Sequence, residues 1–595
     1  MTRRSPAHRA SERPTRAGAA RRIAASLLCV AVLGAGCGGG QTQGVAFDPE
    51  LRDGGDTMAA LQQRLASAPI PRNLDVAVGM FGERALVGVP LAGGDPWTFE
   101  HPIDCRPSIA GGVVVGAGDH ELFGLDARTG KLLWTRKQGG CIRGAADDGH
   151  VTVVSSRPIT GSGGIVVAID RDGLVVRQVE DDSNIGAPAI IDGVVFLPWE
   201  GRYVSAYDLS IGEEVARVRL ADRVTRAFTV GGALFFGEKT ATRFDAEITA
   251  APAGKASTVG LPARPLPGDP RWMESGNEAL PPRPQPSDQV RLYARPQAAG
   301  APAITSGRYV ATHGRAALGL DAKDGSLVWV HAHDAAFLGG AAYEGGFALC
   351  DSEGRVTFLD ARTGAEAGEV SLGKPVDVCL VQADALSKSA PPAAGPPRPL
   401  RDQIADVLQL RYLDAAPIQR FLLGELATSP DERATDTLLD VVAGNVVSED
   451  LLPDARAALA ARRTGVPFML AALAQRRDFL EGTTGTAAVA PLADALAKIG
   501  DPRAAPLLAE HLLDPEAPVS DVERAAAALS VLARPDELPA LRRFFAMYRT
   551  EQADGPLIMA VAHVAGALSR LGAGDVVTAA LADPYTSDAV RDRLR

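Results

Sequence analysis

No stretch of this 595-residue chain approaches 18 consecutive apolar residues, the length a helix needs to cross a bilayer, so the sequence predicts no integral membrane domain. Common catalytic signatures are missing as well. There is no GxSxG elbow, no P-loop and no HExxH, which removes the usual hydrolase, nucleotide-binding and zinc-protease patterns. Cysteines number six, none adjacent and none in a CxxC pair, so neither a zinc knuckle nor a dithiol redox centre is expected. Positive charge is in deficit too, with 61 Lys and Arg against 72 Asp and Glu and a net charge of −11. Without a basic stripe to draw on phosphates, nucleic acid is not an expected partner. What the chain has instead is 63 Gly, 42 Pro and 46% hydrophobic residues, enough for large cores and many tight turns.

The N-terminus carries the one strongly basic segment. Seven Arg and one Glu occupy the first 22 residues, an apolar run follows from Ile23 to Gly34, and small residues lead to Cys37. This order reads as a signal peptide over residues 1–36. The segment "LGAGCGGG" resembles a bacterial lipobox, with Leu33 four places before the cysteine where the family prefers three. The resemblance implies that Cys37 is lipidated and becomes the first mature residue, with 37–73 as tether and short helix. Loss of the signal takes the net charge from −11 to −17. Gly38 and Gly39 in place of Asp point to the outer membrane, facing the periplasm. Cys105, Cys141, Cys350 and Cys379 then remain, and in an oxidising compartment they form disulfides whose connectivity the sequence leaves open.

A repeat decides the fold of the next 300 residues. "LFGLDARTGKLLW" ends at Trp134 and "ALGLDAKDGSLVW" at Trp329, with weaker copies anchored by Asp170, Asp208, Asp245 and Asp360. With Pro90 and Trp97 marking an earlier copy, the period is near 38 residues. The positions predict eight blades of a β-propeller over 74–384, or seven if the slot near 283 is only a loop. Each copy is a set of short alternating strands joined by turns, and no blade buries both faces until the ring closes. Asp126, Asp321 and Asp360 are expected to cap turns; Gly130, Gly325 and Gly364 occupy the reversals, and Trp134 and Trp329 the seams between blades. The closing strand is visible in "KPVDVCLVQAD", which has no partner after it, while the region from Leu74 to Glu100 is one inner strand short.

These "LDA-TG-LLW" repeats resemble the pyrroloquinoline-quinone-like β-propellers. That group holds both quinoprotein dehydrogenases and the non-catalytic lipoprotein of the outer-membrane β-barrel assembly machinery. The resemblance spans Leu74 to Ala385 and implies a propeller. The dehydrogenases carry adjacent cysteines over the quinone, which this sequence lacks, so no cofactor and no enzymatic activity are expected.

A Pro/Ala-rich linker, 385–400, separates this part from a region of different period. From 401 to 595 the apolar spacing becomes helical. In "LAKIGDPRAAPLLAEHLLD", Leu492, Leu496 and Ile499 line one face, Gly500 ends the helix, and Asp501 with Pro502 starts the next. The boundary recurs near Ser429, Gly465, Arg534 and Gly572, which predicts a HEAT-like α-solenoid of about five helix pairs. The "A-x-IGDPRA-x-PLL" run is similar to the short HEAT repeats first noted in phycobilisome-lyase proteins; the repeat itself is structural. A linker between unlike repeats also predicts two independent cores.

Two weak sites remain. His331 and His333, with Asp334, place two imidazoles on one strand face, but a solvated pair at a blade edge is the commoner outcome and no metal is assigned. Asp181 and Asp182 lack the alternating ligands and glycine of a calcium loop and read as a solvated turn. The sequence therefore points to a lipid-anchored envelope scaffold that docks envelope proteins, in the manner of outer-membrane protein assembly; a ligand-binding or sensor propeller is the alternative. Cys37→Ser is expected to abolish labelling by a fatty-acid probe and to release the protein into the soluble periplasmic fraction. Membrane association without any label on the native protein would contradict the lipid anchor.

Overall fold

The computed structural model describes residues 63–65, 67–68, 74–244, 258–259, 269–273, 289–293, 307–383 and 397–595, apart from short stretches inside these ranges, the longest being 476–487. Cys37, Asp245 and the slot near 283 lie outside the described residues.

The β-rich part consists of seven sheets among the described residues. Six are four-stranded, and each is antiparallel. Strands near the middle of a sheet, such as Val113–Gly118 and Gly346–Asp351, are buried along their whole length because another sheet covers each face. Outermost strands such as Leu132–Lys137 and Glu366–Ser371 are partly exposed, as an edge facing water requires. First strands neighbour one another in turn: Val378–Gln382, Ser108–Ala110, Cys141–Asp147, Ala189–Ile191 and Arg226–Val230, with Gln289–Tyr293, Phe337–Tyr343 and again Val378–Gln382 on the other side. Among the described residues this is a β-propeller with seven blades, the lower of the two counts that the spacing allowed. The "QVRLYA" strand, Gln289–Tyr293, does not found an eighth blade. It pairs with Arg308–His313 and so belongs to the blade anchored by Asp321, which is five-stranded because Asp269–Met273 runs parallel beside it.

Closure follows the expected route. Val378–Gln382 pairs antiparallel with Val76–Phe81 and completes blade 1 from the far end of the propeller sequence. Gln382 Nε2 donates to Leu74 O and Gly111 O at 2.8 and 2.7 Å, and Asp377 Oδ2 accepts from Gly82 N at 2.8 Å. A disulfide between Cys350 and Cys379 fastens the closing strand to blade 7. The second disulfide, Cys105–Cys141, ties the segment entering blade 2 to the first strand of blade 3.

The repeated residues form a latch between blades. Asp126 Oδ1 accepts from Arg128 N, Thr129 N and Thr129 Oγ1 at 3.1, 2.8 and 2.8 Å, and Asp360 holds Arg362 and Thr363 in the same way. Asp321 Oδ1 accepts from Lys323 N at 2.9 Å, and its other oxygen takes Arg308 Nη1 at 2.5 Å. The turn glycines Gly130, Gly325 and Gly364 all have positive φ, near 70°. At Gly364 a Cβ would stand 2.4 Å from the Trp329 ring of the preceding blade, and at Gly130 2.5 Å from that of Trp97. These turns therefore need glycine twice over, for backbone sign and for the indole laid on them. Trp97 and Trp329 each donate Nε1–H to the carbonyl after the next turn aspartate, Ala127 O at 3.0 Å and Ala361 O at 2.9 Å. Trp134 is buried against Gly173 in blade 3, but its Nε1 has no partner among the described residues.

The C-terminal region is helical: α1 Leu400–Gln409, α2 Ala416–Thr428, α3 Arg433–Ala443, α4 Leu452–Ala461, α5 Val466–Ala474, α6 Val489–Ile499, α7 Ala504–Leu512, α8 Val519–Leu532, α9 Leu538–Tyr548, α10 Pro556–Arg570, α11 Gly574–Ala582 and α12 Asp588–Leu594. All five boundaries expected from sequence fall between the two helices of a pair, from α2/α3 at Ser429 to α10/α11 at Gly572. Even-numbered helices from α2 to α12 stack on one another in order, and α3, α5, α7 and α9 form the second layer. Basic residues recur 36 apart at Arg462, Lys498, Arg534 and Arg570, and three of them reinforce the stack. Arg462 is fully buried and donates to Leu426 O, Ser429 O and Asp431 O at 2.7, 2.6 and 2.7 Å, serving the carbonyls that end α2. Lys498 reaches Ala460 O at the end of α4, and Arg570 reaches Ser530 O and Ala533 O at the end of α8. Arg462, Lys498 and Arg570 thus each neutralise the negative end of a helix in the preceding pair.

The expectation of two independent cores is corrected here. Helix α1 lies along Leu327–Ala332, the outer strand of blade 6, and Gln403 Oε1 accepts the strand's Val330 N at 2.7 Å. One apolar cluster runs from Tyr309, Leu318 and Val330 through Ile404, Val407 and Leu408 into the helical stack. Tyr412 donates its hydroxyl to His313 O at 3.2 Å and rests on Gly314. An outer strand offers unpaired backbone groups, and α1 covers this one.

Two mutational outcomes follow from these contacts. Arg462→Ala should lower stability by about 3 kcal/mol, since it strands buried helix-end carbonyls, whereas Lys498→Ala at an exposed site should cost under about 1 kcal/mol; equal chemical-denaturation midpoints for the two would refute the capping role. Trp134→Ala and Trp329→Ala should each cost roughly 3 to 5 kcal/mol. Trp329→Phe should cost about 1 kcal/mol more than Trp134→Phe, because only Trp329 donates a hydrogen bond; thermal unfolding of the two Phe variants reads the difference.

Candidate functional site

The repeat residues singled out in the sequence are all committed to turns and seams, so a functional site must lie elsewhere. The first strands of the blades surround the propeller axis, and a cavity of about 230 Å³ opens where four of them begin. Arg106 and Ser108 come from the approach to blade 2, Arg143 from blade 3, Asn184 to Ala187 from blade 4, and Val224 with Thr225 from blade 5. No carboxylate lines it. In a chain with a net charge of −11, this mouth is locally cationic.

Arg143 sets its character. Its guanidinium donates to Ile185 O at 2.7 Å and to Asn184 Oδ1, both neutral acceptors. Burial, and then the like charge of Arg157, hold its pKa below the usual arginine value. A cation under such pressure favours an approaching anion, because a carboxylate restores part of the solvation that burial removed. Arg106 is almost wholly buried beside it. Neither arginine stood out in the sequence, since Arg106 precedes a first strand and Arg143 lies in one, and neither sits in the "LDA-TG" motif. Their separation of 37 residues, close to the repeat period, was the signal available.

The N-terminal segment docks on the opposite face. Arg64 donates to Asp208 Oδ2 at 2.5 Å, to Asp192 Oδ2 at 3.1 Å and to Asp192 O at 2.6 Å, so it clamps two turns of blade 4 at the far end of the strands from the mouth. Leu65 and Ala68 pack against the apolar cluster of blades 4 and 5. Arg64 and the mouth are therefore on different faces of the ring.

The histidine pair is not solvated, which corrects the expectation for that segment. His333 is buried, stacks on Phe337 with ring centroids 4.8 Å apart, and places Nε2 2.8 Å from Asp351 Oδ2. Arg355 donates Nε–H to the same oxygen at 2.8 Å and pairs with Asp334. Burial alone would raise the Asp351 carboxyl; the bonds from His333 and Arg355 outweigh it and leave the group below its ordinary value. Burial, with a smaller push from His333, takes His331 down to about 4. Asp181 caps Ser183 N at 2.7 Å, the turn that the sequence suggested.

Among the described residues no helix is long and apolar enough to cross a membrane. Similar solved structures cover about half of the chain. BamB from Moraxella catarrhalis is 16% identical, covering 51% of this chain and 84% of its own, with a TM-score of 0.29. The computationally designed Ika8 protein is 13% identical over 52% and 89%, with a TM-score of 0.30. The C-terminal WD40 domain of Sif2 is 10% identical over 49% and 79%, also at 0.30. No curated protein matches the chain. The family described as outer membrane protein assembly factor BamB matches residues 87–249 and 289–382, so the propeller, and not the helical region, carries the likeness to that family.

Proposed function

We propose that this chain is a non-enzymatic, lipid-anchored scaffold of the bacterial cell envelope whose activity is to dock protein partners during outer-membrane protein assembly. One observation carries the reading: the tethered segment is clamped to one face of the propeller by Arg64, while the cationic mouth around Arg143 opens on the other. A scaffold held to a membrane by its N-terminus has to present its docking face away from that attachment. The likeness to the BamB family over residues 87–249 and 289–382 supports the assembly role. Cys105–Cys141 and Cys350–Cys379 support an oxidising compartment, where such bonds persist.

A quinone does not fit the residues present. All four described cysteines are taken by disulfides that join separate strands or segments, which leaves no adjacent pair to lie over a quinone ring. Trp97 and Trp329 are spent on the seams between blades. The helical region, as a HEAT-like stack, supplies a second extended surface on the same rigid seat.

In cells, crosslinking of the full chain should capture envelope proteins, with assembly-machinery components among them, and Arg143→Glu should deplete those partners while leaving the fold and membrane attachment unchanged. The scaffold reading fails if no protein is captured and the whole chain instead binds a small molecule tightly, which would establish the sensor alternative.

A further inference from the structure

The seam between blades 6 and 7 holds a set of metal-capable donors that the docking role does not use. Trp329, His331 and His333 alternate along one strand face, and Trp329 is pressed onto Gly364 of blade 7, so the two imidazoles continue along the same seam. Glu366 opens the outer strand of blade 7 opposite them. The ligand-capable atoms of His331, His333 and Glu366 all lie within 4.8 Å of one another.

We propose that His331, His333 and Glu366 form a binding site for a zinc ion that bridges blades 6 and 7. His331 Nε2 is buried and has no hydrogen-bond partner, although Glu366 Oε1 stands 3.5 Å away. An unpaired ring nitrogen inside a protein calls for an ion or a water. The 3.5 Å separation is close to the roughly 3.3 Å between ligands of a tetrahedral zinc with bonds of about 2.0–2.1 Å. His333 Nε2 is held by the buried Asp351, which leaves Nδ1 as the ring nitrogen for the ion, the carboxylate–histidine arrangement that fixes metal-bound imidazoles. Two imidazoles and one carboxylate select zinc over calcium or magnesium, which take oxygen ligands.

The neighbouring set His333, Asp334 and Asp351 is a poorer candidate, because Arg355 already neutralises both carboxylates. Glu366 is the exposed member, with 61% of its side chain open to solvent. It gives the ion a way in and leaves a fourth position for water. A metal here would join blade 7 to the strand that α1 covers, since His331 lies on that strand, and so stiffen the seat of the helical region.

The test is zinc titration of the tag-free full chain after chelator treatment, by calorimetry and by competition with a fluorescent chelator. One zinc per chain should bind and raise the unfolding temperature, with calcium and magnesium inert. His331→Ala should abolish that binding, and Glu366→Gln, on an exposed side chain that folding does not need, should weaken it at least tenfold. Asp351→Asn should lower affinity by about 10-fold to 100-fold. Cobalt in place of zinc should give the visible absorption of a tetrahedral site in the wild type and lose it in Glu366→Gln. The proposal is overturned if the wild type takes up no zinc, or if uptake and the cobalt spectrum are the same in Glu366→Gln as in the wild type.

Discussion

Closure of the ring is the constraint on which the rest of the molecule depends. A four-stranded blade has two apolar faces and only neighbouring blades can cover both, so every seam relies on the one made across the ends of the propeller sequence. That seam is over-determined. The strand Val378–Gln382 pairs with Val76–Phe81, Gln382 ties the carbonyls of Leu74 and Gly111, and Cys350–Cys379 holds the same strand to the last blade. Sheet pairing fixes register, the glutamine fixes the position of the strand end, and the disulfide limits how far an opened ring can separate.

The helical stack inherits its position from this ring. The outer strand of blade 6 is covered by a helix of the C-terminal region, through Gln403 and the apolar residues Ile404, Val407 and Leu408. Beyond α1 the stack grows by a local rule, with Arg462, Lys498 and Arg570, spaced at multiples of 36, each capping a helix end of the pair before it. Stacking therefore needs no distant contact with the propeller, while orientation needs a few at one edge. This division explains how a solenoid joins a ring without interrupting the seams of either.

The functional consequences follow from the two faces. Arg64 seats the N-terminal segment at the turns of blade 4, and the axial mouth opens at the other ends of the same strands. Arg143 and Arg106 make that mouth cationic inside an acidic protein, a contrast suited to an acidic surface on a partner.

Much of the architecture was legible in the residues because repetition amplifies weak signals. One "LDA-TG-LLW" copy means little, but copies near a 38-residue spacing define blades, and the unpaired "KPVDVCLVQAD" strand named its own partner region. The five helix boundaries were legible for the same reason, since Gly500 or Ser429 ends a helix by local backbone chemistry. Blade number was not, because "QVRLYA" carries a strand pattern but no mark of which neighbour it joins. The sequence by itself determined the repeat units, their order and the strand that closes the ring, all properties of local periodicity. Only the tertiary structure decided which cysteines pair, that α1 binds blade 6 so the two cores become one, that His331 stands beside Glu366 while His333 is buried on Asp351, and that arginines 37 residues apart meet at the axis. Those contacts arise when curvature and closure bring distant segments together, and no local pattern records them.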